Sequence, residues 1–367
     1  MKVAGLTWTV FRLPLRVPFR TAASAFVHRD GILLRLATDV GIVGLGEASP
    51  HPALGPQGVR EALRALERVE GRALGAEVEE LPHIGADIPP ALACALDVAA
   101  CDALAQAQGT SVARLLSADA HEIVPVNATM AAATAAEAAA EAAAAREVGF
   151  QCVKLKVGIE PTPAAEAERV AAVRRALGPD IKLRLDANGA WSREQAVSTI
   201  QALASFDLEL VEQPVPAYDV EGLACVRAAV RVPIAADEAV TSVEAARRVL
   251  EASAADILVL KPMVVGGLRP ARRIMELAAV AGAECIVTTT IDSGVGTAAA
   301  LHLAATLPSG ARACGLATGS LLAGDLIRDP PAAHSGQMLL PDHPGLGVEL
   351  DEKLLAQFAI SEEQAMA

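Results

Sequence analysis

Five ionisable side chains fall at the ends of short apolar runs in the middle of the chain: Lys156 in CVKLKVG, Asp186 in KLRLDANG, Glu212 in LELVEQP, Asp237 in PIAADEA and Lys261 in ILVLKP. Each run is apolar, often β-branched and four to eight residues long, which predicts a buried parallel strand. Three carboxylates ending consecutive strands, about 4.8 Å apart, repel one another unless a cation lies between them. An all-oxygen set without histidine or cysteine favours Mg²⁺, with Mn²⁺ as a substitute, and leaves positions for water and a substrate carboxylate. Asp186, Glu212 and Asp237 are therefore the candidate metal ligands. Lys156 and Lys261 stand on either side of them in strand order. That arrangement suits abstraction of a proton α to a carboxylate, the metal stabilising the enediolate and a lysine on either face serving as base or acid.

Lysine usage sharpens this reading. The chain holds six lysines against twenty-five arginines, and three of the six are Lys154, Lys156 and Lys261. Lysine can lose its proton when desolvated and arginine cannot, so the choice points to proton transfer. Neighbouring cations and the metal are expected to lower the lysine pKa. Lys154, two residues before Lys156 and on the same strand face, adds its charge.

The elements that must position these groups follow from their spacing. Lys156, Asp186, Glu212, Asp237 and Lys261 succeed one another at 30, 26, 25 and 24 residues, the length of one strand, one helix and two short loops. Continuing the period finds EIVPVNATM at 122–130, ECIVTTTID at 284–292 and CGLAT at 314–318, eight units in all. Eight βα units close into a TIM-type barrel, with catalytic groups at the C-terminal strand ends. The alanine-rich run 131–149 has good helix composition and a glycine stop, and is expected to be the first barrel helix.

The 367 residues exceed a minimal barrel of roughly 250, so a second domain is expected. Residues 1–120 carry a different pattern. Residues 3–12 alternate as a strand, LPLRVPFRTA is expected to break at Pro14 and Pro18 into a loop, and 31–48 read as two strands joined at Asp39-Val40-Gly41. Gly41, Gly44 and Gly46 faintly resemble a phosphate loop, but no helix follows at the right place and a hairpin is the better reading. Helices are expected near 57–76 and 90–107. This α+β block is the candidate capping domain, 121–321 the barrel, and the tail 322–367 is expected to pack back onto the cap.

After the seventh strand, Ser293, Gly294 and Gly296 precede an apolar helix. Such a helix N-terminus can bind an anion such as a substrate carboxylate, or can be plainly capped. His302, inside that helix, reads as structural. The net charge of −13 argues against nucleic acid or an anionic membrane as partner. The six cysteines show no CxxC and read as reduced core thiols. No signal segment or uninterrupted membrane-length run is evident. A cytoplasmic enzyme acting on a small carboxylate, and forming a homo-oligomer, is expected.

The KxK of Lys154 and Lys156, the DxN of Asp186 and Asn188, the VEQP around Glu212, the ADE of Asp237-Glu238 and the LKP of Lys261 together resemble the muconate lactonizing enzyme subgroup of the enolase superfamily. The resemblance implies an α+β cap closing over the barrel, the three carboxylates on Mg²⁺, and Lys156 and Lys261 as paired acid/base residues, Lys156 being the base that removes the α-proton. It implies that loops near 16–26 and 46–56 enclose the substrate. Asn188, Ser293 and Gly294 are the candidate substrate-binding positions. Dipeptide epimerases of the subgroup carry Asp-x-Asp at the eighth strand, where this chain has GLATGS at 315–320. TIDSGVGTAAALHLAA and GLATGSLL resemble o-succinylbenzoate synthase, a dehydratase of menaquinone synthesis. N-acylamino acid racemase, dipeptide epimerase and muconate cycloisomerase are the alternatives. A non-catalytic binding scaffold would be signalled by loss of a base or a ligand, and none is lost.

Overall fold

The structure, a computed structural model, describes residues 1–20, 25–51, 56–84, 88–160 and 162–366. The chain opens with an antiparallel sheet in the order β1 (Val3–Arg20), β2 (Ala25–Thr38), β3 (Val43–Ala48). The expected break at Pro14 does not occur. β1 runs on past Pro14 and Pro18, with an irregular register between Pro14 and Phe19. Proline, lacking an amide hydrogen, is tolerated because β1 is an edge strand of this sheet. The Pro14 carbonyl still accepts from the Ala323 amide at 2.8 Å.

Helices α1 (Pro56–Ala73) and α2 (Pro90–Ala107) cover this sheet. The glycines of β3 serve packing. A Cβ on Gly44 would sit 2.1 Å from the Ala99 carbonyl oxygen, and one on Gly46 would sit 2.0 Å from that of Ala95. Backbone meets backbone there, which explains both the glycines and the alanines facing them. α2 is long and apolar enough to cross a membrane, but most of it is buried in the protein, as a core helix. A short helix, α3 (Val112–Leu116), ends the cap segment.

The second half alternates strand and helix. A parallel sheet runs in sequence order through β5 (Ala128–Met130), β6 (Cys152–Lys156), β7 (Lys182–Asp186), β8 (Leu208–Glu212), β9 (Ile234–Ala236), β10 (Ile257–Leu260) and β11 (Glu284–Val287). The preceding β4 (Ile123–Pro125) instead pairs antiparallel with β12 (Gln337–Leu339). The eighth barrel position is only two residues long. Cys314 bridges to Val126 and Gly315 to Thr288, both in parallel, which joins the last strand to the first. Between strands lie α4 (Ala135–Glu147), α5 (Pro163–Leu177), α6 (Arg193–Leu203), α7 (Val220–Ala229), α8 (Val243–Glu251), the single-turn α9 (Pro262–Val265), α10 (Leu268–Ala281) and, after β11, α11 (Gly294–Ala304). The alanine run begins with a capping box in which Thr134 and Glu137 satisfy each other's amides. Leu210, Ala235, Ile257, Val259 and Ile286 form a buried cluster of their own, filling the inside of the sheet.

The tail returns to the cap. Leu322 bridges Leu15, Ala359 bridges Phe11, and the Ile360 amide donates to Val10 O. α12 (Glu352–Phe358) places Glu352 2.6 Å from Arg35, and α13 (Glu362–Met366) places Glu362 3.1 Å from the Trp8 indole nitrogen. Five of the six cysteines are buried free thiols, whereas Cys225 on α7 is exposed and departs from the expected core placement.

Candidate active site

Strand register brings the charged groups together. Lys156 lies beside Asp186, Asp186 beside Glu212, and Glu212 beside Ala235, with Asp237 two residues further along the neighbouring strand. Asp186, Glu212 and Asp237 are buried, and one carboxylate oxygen from each lies within 4.8 Å of the others. Lys154 reaches into the group, its Nζ 2.7 Å from Glu212 Oε1 and 3.2 Å from Asp186 Oδ2. Lys156 Nζ lies 2.5 Å from Asp186 Oδ2, and Lys261 Nζ lies 2.5 Å from Asp237 Oδ2 on the opposite side.

The electrostatics follow from crowding. Burial and the charge of Asp186 push Glu212 up to about 8, whereas Lys156 and Lys154 outweigh burial at Asp186 and hold it low. Burial alone would depress Lys154 and Lys261, but Glu212 and Asp186 around the first and Asp237 around the second hold both raised. Carboxylates are the nearest charges to both lysines, and they outweigh the effect of burial. Three converging, buried, all-oxygen donors fit a divalent cation.

A ring of polar residues holds these side chains in place. Asn188, in the left-handed region at φ 44°, accepts from Lys156 Nζ at 3.0 Å and donates to Glu238 Oε1 at 2.8 Å. It thus orients the lysine as well as lining the site. Gln213, also left-handed at φ 39°, accepts from the amides of Asp237 (3.0 Å) and Ala239 (3.2 Å), fixing the loop that carries the third carboxylate. Sequence reasoning missed Gln213, whose only signal was its place within VEQP. Arg169 on α5 donates to the Lys156 carbonyl, while Glu166 accepts from the Gly158 amide at 2.8 Å. By spacing these two are an ordinary i,i+3 helix pair, yet both are buried.

The Ser293 and Gly294 amides have partners within the chain. The N-terminus of α11 is already filled by the protein's own acids: Glu47 accepts from the Ser293 amide (3.1 Å), the Ser293 hydroxyl and the Gly296 amide (2.8 Å), and Asp325 accepts from the Gly294 amide (2.9 Å). A helix N-terminus attracts any nearby carboxylate, and here two are supplied from elsewhere in the chain. Neither residue lines the cavity described next. His302 within α11 accepts from the Ala113 amide at 3.2 Å and meets Leu346 O at 3.1 Å, a structural role.

Above the charged cluster lies a cavity of about 420 Å³, in the size range of small-ligand sites. Lys154, Lys156, Asn188, Asp237, Glu238 and Lys261 form its polar end. Thr288, Thr289, Thr290 and Thr318 form a hydroxyl-bearing wall from the seventh and eighth strands, with Thr289 and Thr318 hydroxyls 2.7 Å apart. Phe26, Ile291, Leu321 and Tyr218, the chain's one tyrosine and 89% exposed, supply the apolar rim. His51 lines it too, pushed down to about 4 by burial and by Lys261. Of the two enclosing loops, residues 21–24 and 52–55 lie outside the described residues.

The chain matches the enolase C-terminal domain-like family over residues 136–354 and the mandelate racemase/muconate lactonizing enzyme N-terminal domain over residues 5–117. It is 36% identical to an o-succinylbenzoate synthase of Thermobifida fusca, covering 97% of this chain and 92% of that one. It is 32% identical to muconate cycloisomerase 1 of Rhodococcus opacus, covering 96% of each. The structure of N-succinyl Arg/Lys racemase from Bacillus cereus superposes with a TM-score of 0.92 at 26% identity, over 98% of this chain and 99% of that one. With both halves matched in order and relatives running its full length, the chain belongs to the muconate lactonizing enzyme subgroup of the enolase superfamily.

Proposed function

We propose that this enzyme removes the proton α to a carboxylate in a Mg²⁺-dependent reaction, and that its substrate is 2-succinyl-6-hydroxy-2,4-cyclohexadiene-1-carboxylate, which it dehydrates to o-succinylbenzoate. The observation that carries the substrate choice is the neutral wall of Thr288, Thr289, Thr290 and Thr318. This wall includes no carboxylate to repel a succinyl tail, and one hydroxyl of the Thr289–Thr318 pair keeps a proton to donate, whereas an ammonium-bearing dipeptide calls for an anion there. The identity to the Thermobifida synthase supports the same choice.

Asp186, Glu212 and Asp237 would hold the ion. When bound, Mg²⁺ supplies positive charge that stabilises negative charge developing on the substrate carboxylate. Lys156, held by Asp186 and Asn188, takes the ring α-proton as the neutral amine. The electron pair left behind expels the β-hydroxyl, and the protonated Lys156 on the same face returns its proton to the departing oxygen, so water leaves and the ring becomes aromatic. Lys261, across the cluster, contributes its charge.

The lysine pair supports a second reading. Lysines on opposite sides of the cluster, one as amine and one as ammonium, can remove a proton from one face and return it to the other, which is racemisation of an N-acylamino acid. One assay separates the two: ultraviolet detection of the aromatic product beside deuterium exchange into N-succinyl amino acids, L-Ala-L-Glu and muconolactone. Aromatic product is expected. Exchange only into N-succinyl amino acids moves the reading to the racemase, and fast exchange into the dipeptide without aromatic product sinks the synthase.

A further inference from the structure

Arg29 of the cap is 3% exposed, and its hydrogen bonds go to carbonyl oxygens: Nε to Ile291 (3.1 Å), Nη1 to Pro50 (2.9 Å) and Nη2 to Ser49 (3.1 Å). A planar, rigid donor fork fixes its acceptors relative to one another. These acceptors belong to two different walls of the cavity. Ser49 and Pro50 lead directly into His51, and Ile291 follows Thr290; His51, Thr290 and Ile291 all line the cavity.

Ile291 is also strained. Its φ of 65° lies in the left-handed region, where a β-branched residue is an outlier. Such a conformation persists only where the surroundings over-determine it. Here the cap holds the turn on both sides, Arg29 at the Ile291 carbonyl and Glu47 at the Ser293 and Gly296 amides. A fastener between domains alone would have no need of a strained cavity residue as its anchor.

We infer that Arg29 is a positioning residue for substrate specificity: by clamping Ile291 to the Ser49–Pro50 carbonyls it sets the separation of the His51 wall from the Thr290–Ile291 wall. The reacting carbon lies at the lysines, so these walls receive the substituent beyond it, a ring or an acyl chain. That last step rests on the proposed α-proton chemistry, whereas the clamp itself does not.

The test uses the full chain with Arg29→Met, Arg29→Lys, Ile291→Gly and the Arg29→Met/Ile291→Gly double variant. In the free proteins, hydrogen exchange at 49–51 and 289–294 is expected to quicken in Arg29→Met, while 182–186 and 208–212 keep wild-type protection. On the substrate panel above, KM for bulky substituents is expected to rise about tenfold, the scale of a lost pocket contact, with little change in kcat. Arg29→Lys should recover part of this, and the double variant should add little to Arg29→Met, because both act on one turn. Unchanged exchange at both segments overturns the inference, as does a loss equal for large and small substrates or an additive double variant. If the wild-type protein turns over none of the panel, the functional proposal fails, and the exchange result still decides the clamp.

Discussion

Lys261 and Asp237 form a part-buried ion pair, Nζ to Oδ2 at 2.5 Å, and it is the counterpart across the barrel mouth of the pair that Lys156 makes with Asp186. Each lysine thus approaches the carboxylate cluster from its own side, held by a different carboxylate. Lys154 is placed differently, bridging Glu212 and Asp186.

This geometry separates the roles of the two outer lysines. Lys156→Ala should lower turnover by at least the roughly 10²–10⁴ that a general base contributes. Lys261→Ala should leave slow exchange of the α-proton with solvent deuterium while weakening turnover through lost charge. Exchange rates followed by NMR check this. Near wild-type turnover in Lys156→Ala, with Lys261 still essential, would reverse the assignment.

Metal dependence gives a readout that needs no substrate. If Asp186, Glu212 and Asp237 hold Mg²⁺ in the folded chain only, the ion should raise thermal stability, by about 2.7 kcal/mol at a hundredfold excess over its Kd. Differential scanning calorimetry in Mg²⁺ and in chelator is the measurement. Asp237→Asn should shrink the difference, and replacement of Asp119, exposed and distant from the cluster in sequence, should not. Full turnover after dialysis into excess chelator would remove the metal from the mechanism.

The barrel and its charged mouth were legible because strand length and βα spacing are local properties. Each of Asp186, Glu212 and Asp237 ends its own apolar run, and a parallel sheet in sequence order then makes them neighbours. What was not legible depends on distant partners. Nothing near Ser293 indicates that Glu47, 246 residues earlier, occupies its amide. Pro14 and Pro18 read as breakers because local sequence does not show that β1 is an edge strand. Glu166 and Arg169 look like a solvated helix pair, since charge spacing is the same whether the helix face meets water or the end of a neighbouring strand.

The cap makes a stability prediction. Gly46→Ala would place a methyl 2.0 Å from the Ala95 carbonyl oxygen and 2.8 Å from its carbon. The obstacle is helix backbone, so β3 and α2 must separate, at a cost of about 1–3 kcal/mol for overpacking. The denaturation midpoint should fall at unchanged m-value. Gly71→Ala in α1, where a Cβ meets nothing within 4 Å, should instead be neutral or stabilising.

The last prediction concerns His302. Burial pushes its pKa down to about 4. Nδ1 must stay unprotonated to accept from the Ala113 amide, leaving Nε2–H to donate to Leu346 O. Unfolded, the imidazole regains an ordinary value near 6.5. Below that pH the unfolded chain binds a proton that the folded chain refuses. The contribution is therefore fully present above about 6.5, falls as pH drops through that value, and is exhausted once pH passes the folded value near 4. The span of about 2.5 units corresponds to a loss of roughly 3 kcal/mol. Other acids, the buried Asp292 and the half-buried Asp325 among them, titrate in the same range. The informative quantity is therefore the difference between wild type and His302→Gln, from urea unfolding at pH of about 7.5, 6, 5 and 4.5. A glutamine side chain has no proton to gain, so the variant should be less stable than wild type at neutral pH and the gap should close as pH falls. A gap that stays constant with pH would mean that His302 is not held neutral by the fold.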